Sequence, residues 1–141
     1  MNLADVQDEI ATALNRIEGL RAYPWGLQRI TPPTALVGWP ANLELDATMA
    51  RGADSVVLPL FILVGHIDAR VSRINLARYL DGDGPYSIKA AVDSFEFTSC
   101  DSAVCKRARI EMVSVADVEY LGAVYEIEIF GKGARWPSTQ T

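Results

Sequence analysis

The sequence predicts a one-domain α+β protein: a mostly antiparallel β-sheet flanked by about three α-helices, with a protruding β-arm or long loop. Three patterns lead to this prediction. Apolar residues recur at helical spacing in two segments, one apolar run has the length of a buried strand, and two alternating segments lie near the C-terminus. The 141-residue length is usual for one domain. We place the domain at residues 1–131, followed by a flexible tail at 132–141.

The N-terminal segment predicts a helix followed by two short strands. Asn2 followed by Asp5 resembles a capping box, and a helical apolar pattern then runs as far as Gly19. Extended segments are expected at Leu20 to Tyr23 and Ala35 to Trp39. The apolar positions of the helix are Leu3, Val6, Ile10, Leu14 and Ile17.

The middle of the chain predicts an arm and a buried strand. We interpret Asn42 to Asp54 as a long loop or protruding β-arm, because the segment is mixed and polar. Ser55 to Gly65 is apolar without alternation, which is typical of a strand that is covered on both faces. Pro59 belongs on an edge or at a bulge. We therefore expect part of the cover to come from outside the subunit, which indicates oligomerisation.

Two further helices are expected to pack on one face of the sheet. Asp68 can cap the first of them, and the turn at Asp81 to Gly84 ends it. Pro85 is suited to the first position of the next helix, which runs to about Val92. The apolar face of the first of these helices is predicted to be Val71, Ile74, Ala77 and Leu80.

A β-hairpin is predicted near the C-terminus because Arg107 to Val115 and Tyr120 to Phe130 both alternate. With Val118-Glu119 at the tip, Arg109 lies opposite Glu128 on the outward face. The inward residues of the second strand are predicted to be Tyr125, Ile127 and Ile129.

The charge distribution disfavours tight nucleic-acid binding. Acidic residues outnumber basic ones by 18 to 13, and no basic run could neutralise several phosphates together. The N-terminus lacks the pattern of a secretory signal, so we expect synthesis and residence in the cytosol. The longest apolar run is about half the length that a transmembrane helix needs, and no membrane partner is expected.

The side chains that could take part in catalysis or metal binding form no recognisable catalytic, metal-binding or phosphate-binding motif. His66, the single histidine, could act as a base in a small hydrolase, but a structural role at a strand end is the favoured interpretation. Cys100 and Cys105 are expected to be free thiols, with a disulfide as the alternative. The residues at 81–84 do not continue as a calcium-binding loop. We expect neither enzyme activity nor a cofactor.

The three tryptophans have different expected roles. Trp25 and Trp39 are expected in the core. Trp136 lies in a tail without apolar companions, and docking on a neighbour is as well supported as simple exposure.

Four segments, taken together in their order and spacing, resemble the tail terminator proteins of long-tailed, non-contractile bacteriophages, particularly those that infect actinobacteria. The segments are Pro32 to Gly38, Arg51 to Asp54 continuing through the apolar strand to Val64-Gly65, Tyr79 to Val92, and Tyr120 to Ala123.

This resemblance implies an α+β subunit of a six-membered ring in the head-proximal neck of the virion, assembled in the cytoplasm of the host. The ring would halt polymerisation of the major tail tube protein and present a surface to the head-tail connector or stopper protein. DNA would pass through the lumen without specific binding, which an acidic wall favours. The alternatives are another neck or tail-tube-like component and a small hydrolase that uses His66.

Interface residues are proposed by position, because the family offers no signature for them. The arm is expected to make subunit contacts, and the tail is expected to contact a neighbour or partner. The candidates are Leu43, Leu45, Met49, Arg51 and Asp54 in the arm, with Arg135 and Trp136 in the tail.

Overall fold

The computed structural model describes residues 2–24, 33–40, 43–44, 53–66, 70–115 and 117–132, and within them it confirms the predicted α+β class. The described strands form one sheet in the order β1-β2-β4-β6-β5, and β3 pairs with a separate part of β4. Only the β1–β2 pairing is parallel. The elements are α1 (Leu3–Leu14), β1 (Arg21–Tyr23), β2 (Thr34–Val37), β3 (Leu43–Glu44), β4 (Ala53–His66), α2 (Arg70–Leu80), α3 (Ile88–Ser94), β5 (Ser102–Val115) and β6 (Val118–Lys132).

Helix α1 begins as predicted and ends earlier. The Asn2 side chain accepts hydrogen bonds from the amides of Ala4 and Asp5 at 3.0 and 3.3 Å, so it caps the helix. The helix ends at Leu14, because the Asn15 side chain turns the chain towards β1. Its Nδ2 donates to the Ala22 carbonyl at 3.1 Å, and the Ala22 amide donates to its Oδ1 at 2.9 Å.

All three helices pack on one face of the sheet, as the sequence predicted for α2 and α3. Helix α1 lies over β1 and β2, α2 lies over β4 and β6, and α3 lies over β5. This arrangement buries one continuous apolar core, and the three inward residues predicted in β6 are confirmed. The largest fully buried apolar side chains are Ile10, Leu14, Leu58, Leu60, Ile62, Ile88, Ile127 and Ile129.

Within the described residues, β4 is fully covered on its helix face and only partly on the opposite face, where Leu63 is buried but Val57 is not, so the expectation of two covered faces is met only in part. Leu58 is fully buried, whereas its neighbour Val57 is 45% exposed. The Gly38 amide donates to the Pro59 carbonyl at 2.7 Å. The nitrogen and carbonyl of one strand residue point to the same side, so the Pro59 nitrogen points away from β6, into the gap between β2 and β3. The missing N–H of Pro59 therefore removes no hydrogen bond to β6.

The predicted apolar face of α2 is wrong. Val71 and Ile74 are 63% and 51% exposed, and the residues that face the core are Ser72, Leu76 and Tyr79. A small inward residue is required because α2 lies very close to the sheet. A Cβ added at Gly65, whose φ is +152°, would lie 2.5 Å from the Ser72 Oγ. Asp68, the predicted cap of this helix, lies outside the described residues.

Helix α3 starts later than predicted. Its N-cap is Ser87, whose Oγ accepts from the Ala90 amide at 3.1 Å and donates to the Asp81 carbonyl. Pro85 therefore lies in the turn before the helix, and the predicted first helical position is wrong. Gly84 makes this turn possible because its φ of +106° lies in the region that glycine tolerates best.

The C-terminal hairpin is present in a different register. Val115 pairs with Val118, so the connection is at residues 116–117, where Asp117 has a φ of +63°. Arg109 consequently lies opposite Val124, and the predicted Arg109–Glu128 pair is wrong. Strand β5 also starts five residues earlier than predicted, at Ser102, and it contains a bulge between Cys105 and Arg107.

Candidate interaction surfaces

The sheet face opposite the helices, which we call the open face, has an exposed apolar centre. Val57 of β4 and Val104 of β5 both lie opposite Glu128 of β6, so they flank the same residue. Phe130 lies two residues further along β6 on the same face. Each of these three apolar side chains is more than a third exposed. Exposed apolar residues clustered on one face of a sheet are typical of a surface that binds another protein.

Charged pairs surround this apolar centre on the β5–β6 side. The Arg107 Nε lies 2.9 Å from the Glu126 Oε2, and the Arg109 Nε lies 3.3 Å from the Glu111 Oε1. These pairs are largely exposed and stabilise the subunit little. Glu128 lies within the apolar centre, and its Oε1 is 4.0 Å from the Lys106 Nζ, so the open face mixes apolar and charged side chains, as many protein interfaces do.

The outward side of α2 forms a second surface, which we call the α2 surface. It combines the exposed Val71 and Ile74 with the arginines Arg70 and Arg73. Arg70, Arg73 and Ile74, with Ala77, line a shallow concavity. Among the described residues, neither arginine has a carboxylate within ion-pair distance.

Two apolar side chains of β5 extend the α2 surface along the sheet. Ile110 and Met112 are 65% and 66% exposed, and they lie opposite Ala123 and Leu121 on the helix side of the sheet. Helix α2 packs on β6, the strand next to β5. The exposed apolar residues of β5 therefore lie on the same side of the sheet as α2.

A third surface, which we call the α1 groove, lies between α1 and the end of β2. It is lined by Ala4, Gln7, Asp8, Pro24 and Trp39. Trp39 is 53% exposed, so its predicted core position is wrong. The reason is that β2 ends at Val37, and the chain beyond it leaves the sheet.

A buried glutamine fixes one wall of the α1 groove. The Gln7 Nε2 donates to the Gly38 carbonyl at 2.9 Å, and this holds the chain before Trp39 against α1. Because Gln7 is almost fully buried, the groove is a fixed feature of the fold.

Two of the seven predicted interface residues lie in described segments. Leu43 pairs with Val56 through β3, and Asp54 of β4 pairs with Gly131 of β6. The other five lie outside the described residues: Leu45, Met49, Arg51, Arg135 and Trp136. Trp25 also lies outside them. The candidate residues include none from the α2 surface or the α1 groove; for the open face, the sequence predicted external cover of β4 but named none of the exposed residues.

The side chains that could take part in catalysis or metal binding are dispersed over the subunit. His66 is exposed at the end of β4 and stacks on the Tyr120 ring with 5.8 Å between centroids. Cys100 and Cys105 are buried free thiols, and burial raises their pKa values to about 11 and about 12, so both are protonated at neutral pH. Within the described segments, no three histidine, cysteine or carboxylate side chains are grouped to hold a metal ion.

The comparisons with known proteins gave no relative. No protein-family model matches the chain, and no curated protein matches it either. In the part of the chain that the structure describes, no helix is both long and apolar enough to cross a membrane. The three surfaces are therefore interpreted from their own chemistry.

Proposed function

We propose that the chain is a structural subunit of a bacteriophage virion that assembles into a homomeric ring, of six copies as the family resemblance implies, and ends tail-tube polymerisation. The ring joins the tail to the head-tail connector or stopper protein. The observation that carries the proposal is the open face. A long central strand presents Val57 to solvent beside Val104 and Phe130, and a partner that covers this face removes apolar surface from water.

The non-alternating apolar sequence of β4 supports association more strongly than the exposure of Val57 alone does. Alternation of apolar and polar residues is the usual sequence of a strand with one solvated face. Strand β4 instead keeps Val57, Pro59 and Phe61 on its open side. This is the composition of a strand that is buried on both sides, and the described residues cover the open side only in part.

The resemblance to tail terminator proteins supplies the finer part of the proposal. Its segments fall on features that the fold needs. The last one contains Gly122, where an added Cβ would lie 2.3 Å from the Ile62 carbonyl oxygen. The net charge of −5 is compatible with a lumen that does not retain DNA. No cofactor and no catalytic step are part of this function.

Native mass measurement tests the association. The wild-type chain is expected to form a closed oligomer, alone or with tail tube protein. Val57→Glu places a second carboxylate opposite Glu128 and is expected to weaken the oligomer at least about tenfold, because two like charges without a partner are costly to bury. Val57→Thr, which keeps the branched shape, is the matched control. A wild-type chain that stays monomeric under both conditions contradicts the proposal.

Tail length distinguishes a terminator from another neck or tube-like component. Particles made without this protein are expected to carry tails of uncontrolled length, because nothing stops tube growth. Tails of normal length contradict the terminator assignment. For the hydrolase alternative, His66→Ala is the test: a measurable hydrolysis that is lost in the folded variant would favour the enzyme.

A further inference from the structure

We infer that copies of the chain join head to tail, with the α2 surface of one copy docked in the α1 groove of the next. The inference rests on the proposed ring and names its two contacting surfaces. It is carried by two observations: arginines without a carboxylate partner among the described residues beside exposed apolar residues on α2, and aspartates without an ion-pair partner among the same residues beside an exposed tryptophan at the α1 groove.

The arginines of α2 have no carboxylate partner in the described part of the chain. Helix α2 contains three arginines and no acidic residue, although the chain as a whole is acidic. Arg70 and Arg73 lie in its first turn, where the helix dipole disfavours positive charge. A carboxylate brought to this end of α2 would interact favourably with both the arginines and the dipole.

The α1 groove offers such carboxylates. Asp8 lines the groove, and Asp5 lies one helical turn before Glu9 on the same helix. Among the described residues, neither aspartate has an ion-pair partner. Glu9 is different, because it accepts hydrogen bonds from the amides of residues 98 and 99. Asp5 and Asp8 are therefore the acidic groups available to a neighbouring copy.

The apolar parts of the two surfaces also match. The exposed Ile74 and Val71 of α2 can pack on Trp39 and Pro24, which form the apolar side of the groove. An 11-residue helix is only about 16 Å long, whereas a stable interface buries about 800 Å² on each partner. The exposed Ile110 and Met112 of β5, on the helix side of the sheet, offer additional apolar surface.

The positions of the two surfaces favour a ring over a closed dimer. The α1 groove lies over the β1–β2 side of the sheet and the α2 surface over the β4–β6 side. Each copy can thus use both surfaces at once, with two different neighbours. A heterologous contact of this kind generates a ring when its rotation closes.

Charge reversal on each surface tests the contact. The α2 variant is Arg70→Glu with Arg73→Glu, and the groove variant is Asp5→Lys with Asp8→Lys. Each variant alone presents like charges at the contact and is expected to associate at least about tenfold more weakly than wild type in native mass and sedimentation measurements. An equimolar mixture restores opposite charges at every contact, so it is expected to regain assemblies of more than two copies. Arg21→Glu with Lys89→Glu is the control with the same charge change as the α2 variant, because neither residue lines either surface and the Lys89–Asp93 pair that it breaks is exposed and stabilises the fold little.

The outcomes separate this inference from the proposed function. If wild type forms a ring and both variants form it equally well, the head-to-tail contact is wrong and the ring stands. If wild type stays monomeric alone and with tube protein, both are overturned. A mixture that gives only dimers also overturns the head-to-tail arrangement, and so does loss of tube-protein binding with self-association intact.

A covalent readout covers the case in which a charge variant fails to fold. Ile74→Cys and Ala4→Cys are made in separate chains, and both positions are outside the core. The native thiols are buried, so they give little background. Mixed under mild oxidation, the two chains are expected to form a disulfide-linked pair faster than either chain alone. Equal rates in the mixture and in the separate chains overturn the contact.

Discussion

The hydrogen bond between Tyr125 and α2 gives a quantitative prediction about the packing of that helix. The Tyr125 Oη donates to the Tyr79 carbonyl at 2.9 Å, and both residues are buried. The Tyr79 carbonyl lies in the last turn of α2. The Asp83 amide, which would be its donor in a continuing helix, donates to the Asp81 side chain instead. Tyr125→Phe keeps the ring and creates no large cavity, but it leaves this carbonyl without its donor. The expected loss is about 1 to 2 kcal/mol.

The assay is urea unfolding followed by fluorescence, with thermal unfolding as a second measurement. For a domain of this length, the expected loss lowers the melting temperature by about 3 to 7 °C. Tyr120→Phe on the same strand is the matched control, because its hydroxyl has no hydrogen-bond partner among the described residues. We expect a change below about 0.5 kcal/mol there. Equal effects of the two substitutions would refute the assigned role of the Tyr125 hydroxyl.

Three further predictions concern backbone packing and ionisation. Gly122→Ala is expected to cost about 1 to 3 kcal/mol in urea unfolding because of the contact with the Ile62 carbonyl, whereas Gly82→Ala, which has open space around it, should be nearly neutral. Burial raises the pKa of Glu9, but its hydrogen bonds to the loop before β5 outweigh this and leave the pKa below 4.5. The ionised Glu9 side chain therefore stabilises the fold fully above pH 4.5, and this stabilisation is lost as the pH falls. Glu9→Gln should destabilise the fold by about 1 kcal/mol at pH 7 and by less at pH 3, as measured by urea unfolding. Burial raises the pKa of Cys105 from 9.0 to about 12, so its contribution is complete below pH 9 and lost as pH rises towards 12; Cys105→Ala should flatten this alkaline loss.

The fold class was accessible from the sequence because it depends on patterns that are local. Asn2 signals the start of α1, and the long apolar run marks β4, so both elements were predicted close to their observed positions. The inward residues of β6 follow from alternation alone. These signals need no knowledge of which elements become neighbours.

Boundaries and register were less accessible because they depend on contacts between distant parts of the chain. Helix α1 ends where Asn15 meets the backbone of Ala22, and the sequence does not show that meeting. The hairpin register changes with the turn, and a turn at Asp117 was as compatible with the alternation as one at Val118-Glu119. Trp39 was placed in the core because tryptophan usually is, whereas its actual position follows from the end of β2.

The error on α2 is informative because the pattern that misled the prediction is real. Apolar residues do recur at helical spacing, but they lie on the outward side, and the inward side has a serine because Gly65 allows the helix to approach the sheet closely. Helical apolar spacing predicts a buried face without specifying what buries it. In a subunit that functions alone, Val71 and Ile74 gain nothing from this spacing. In a head-to-tail assembly they are core residues of the contact. The helical spacing of apolar residues in α2 then matches the residues that are buried in the assembly, and not those buried in the isolated chain.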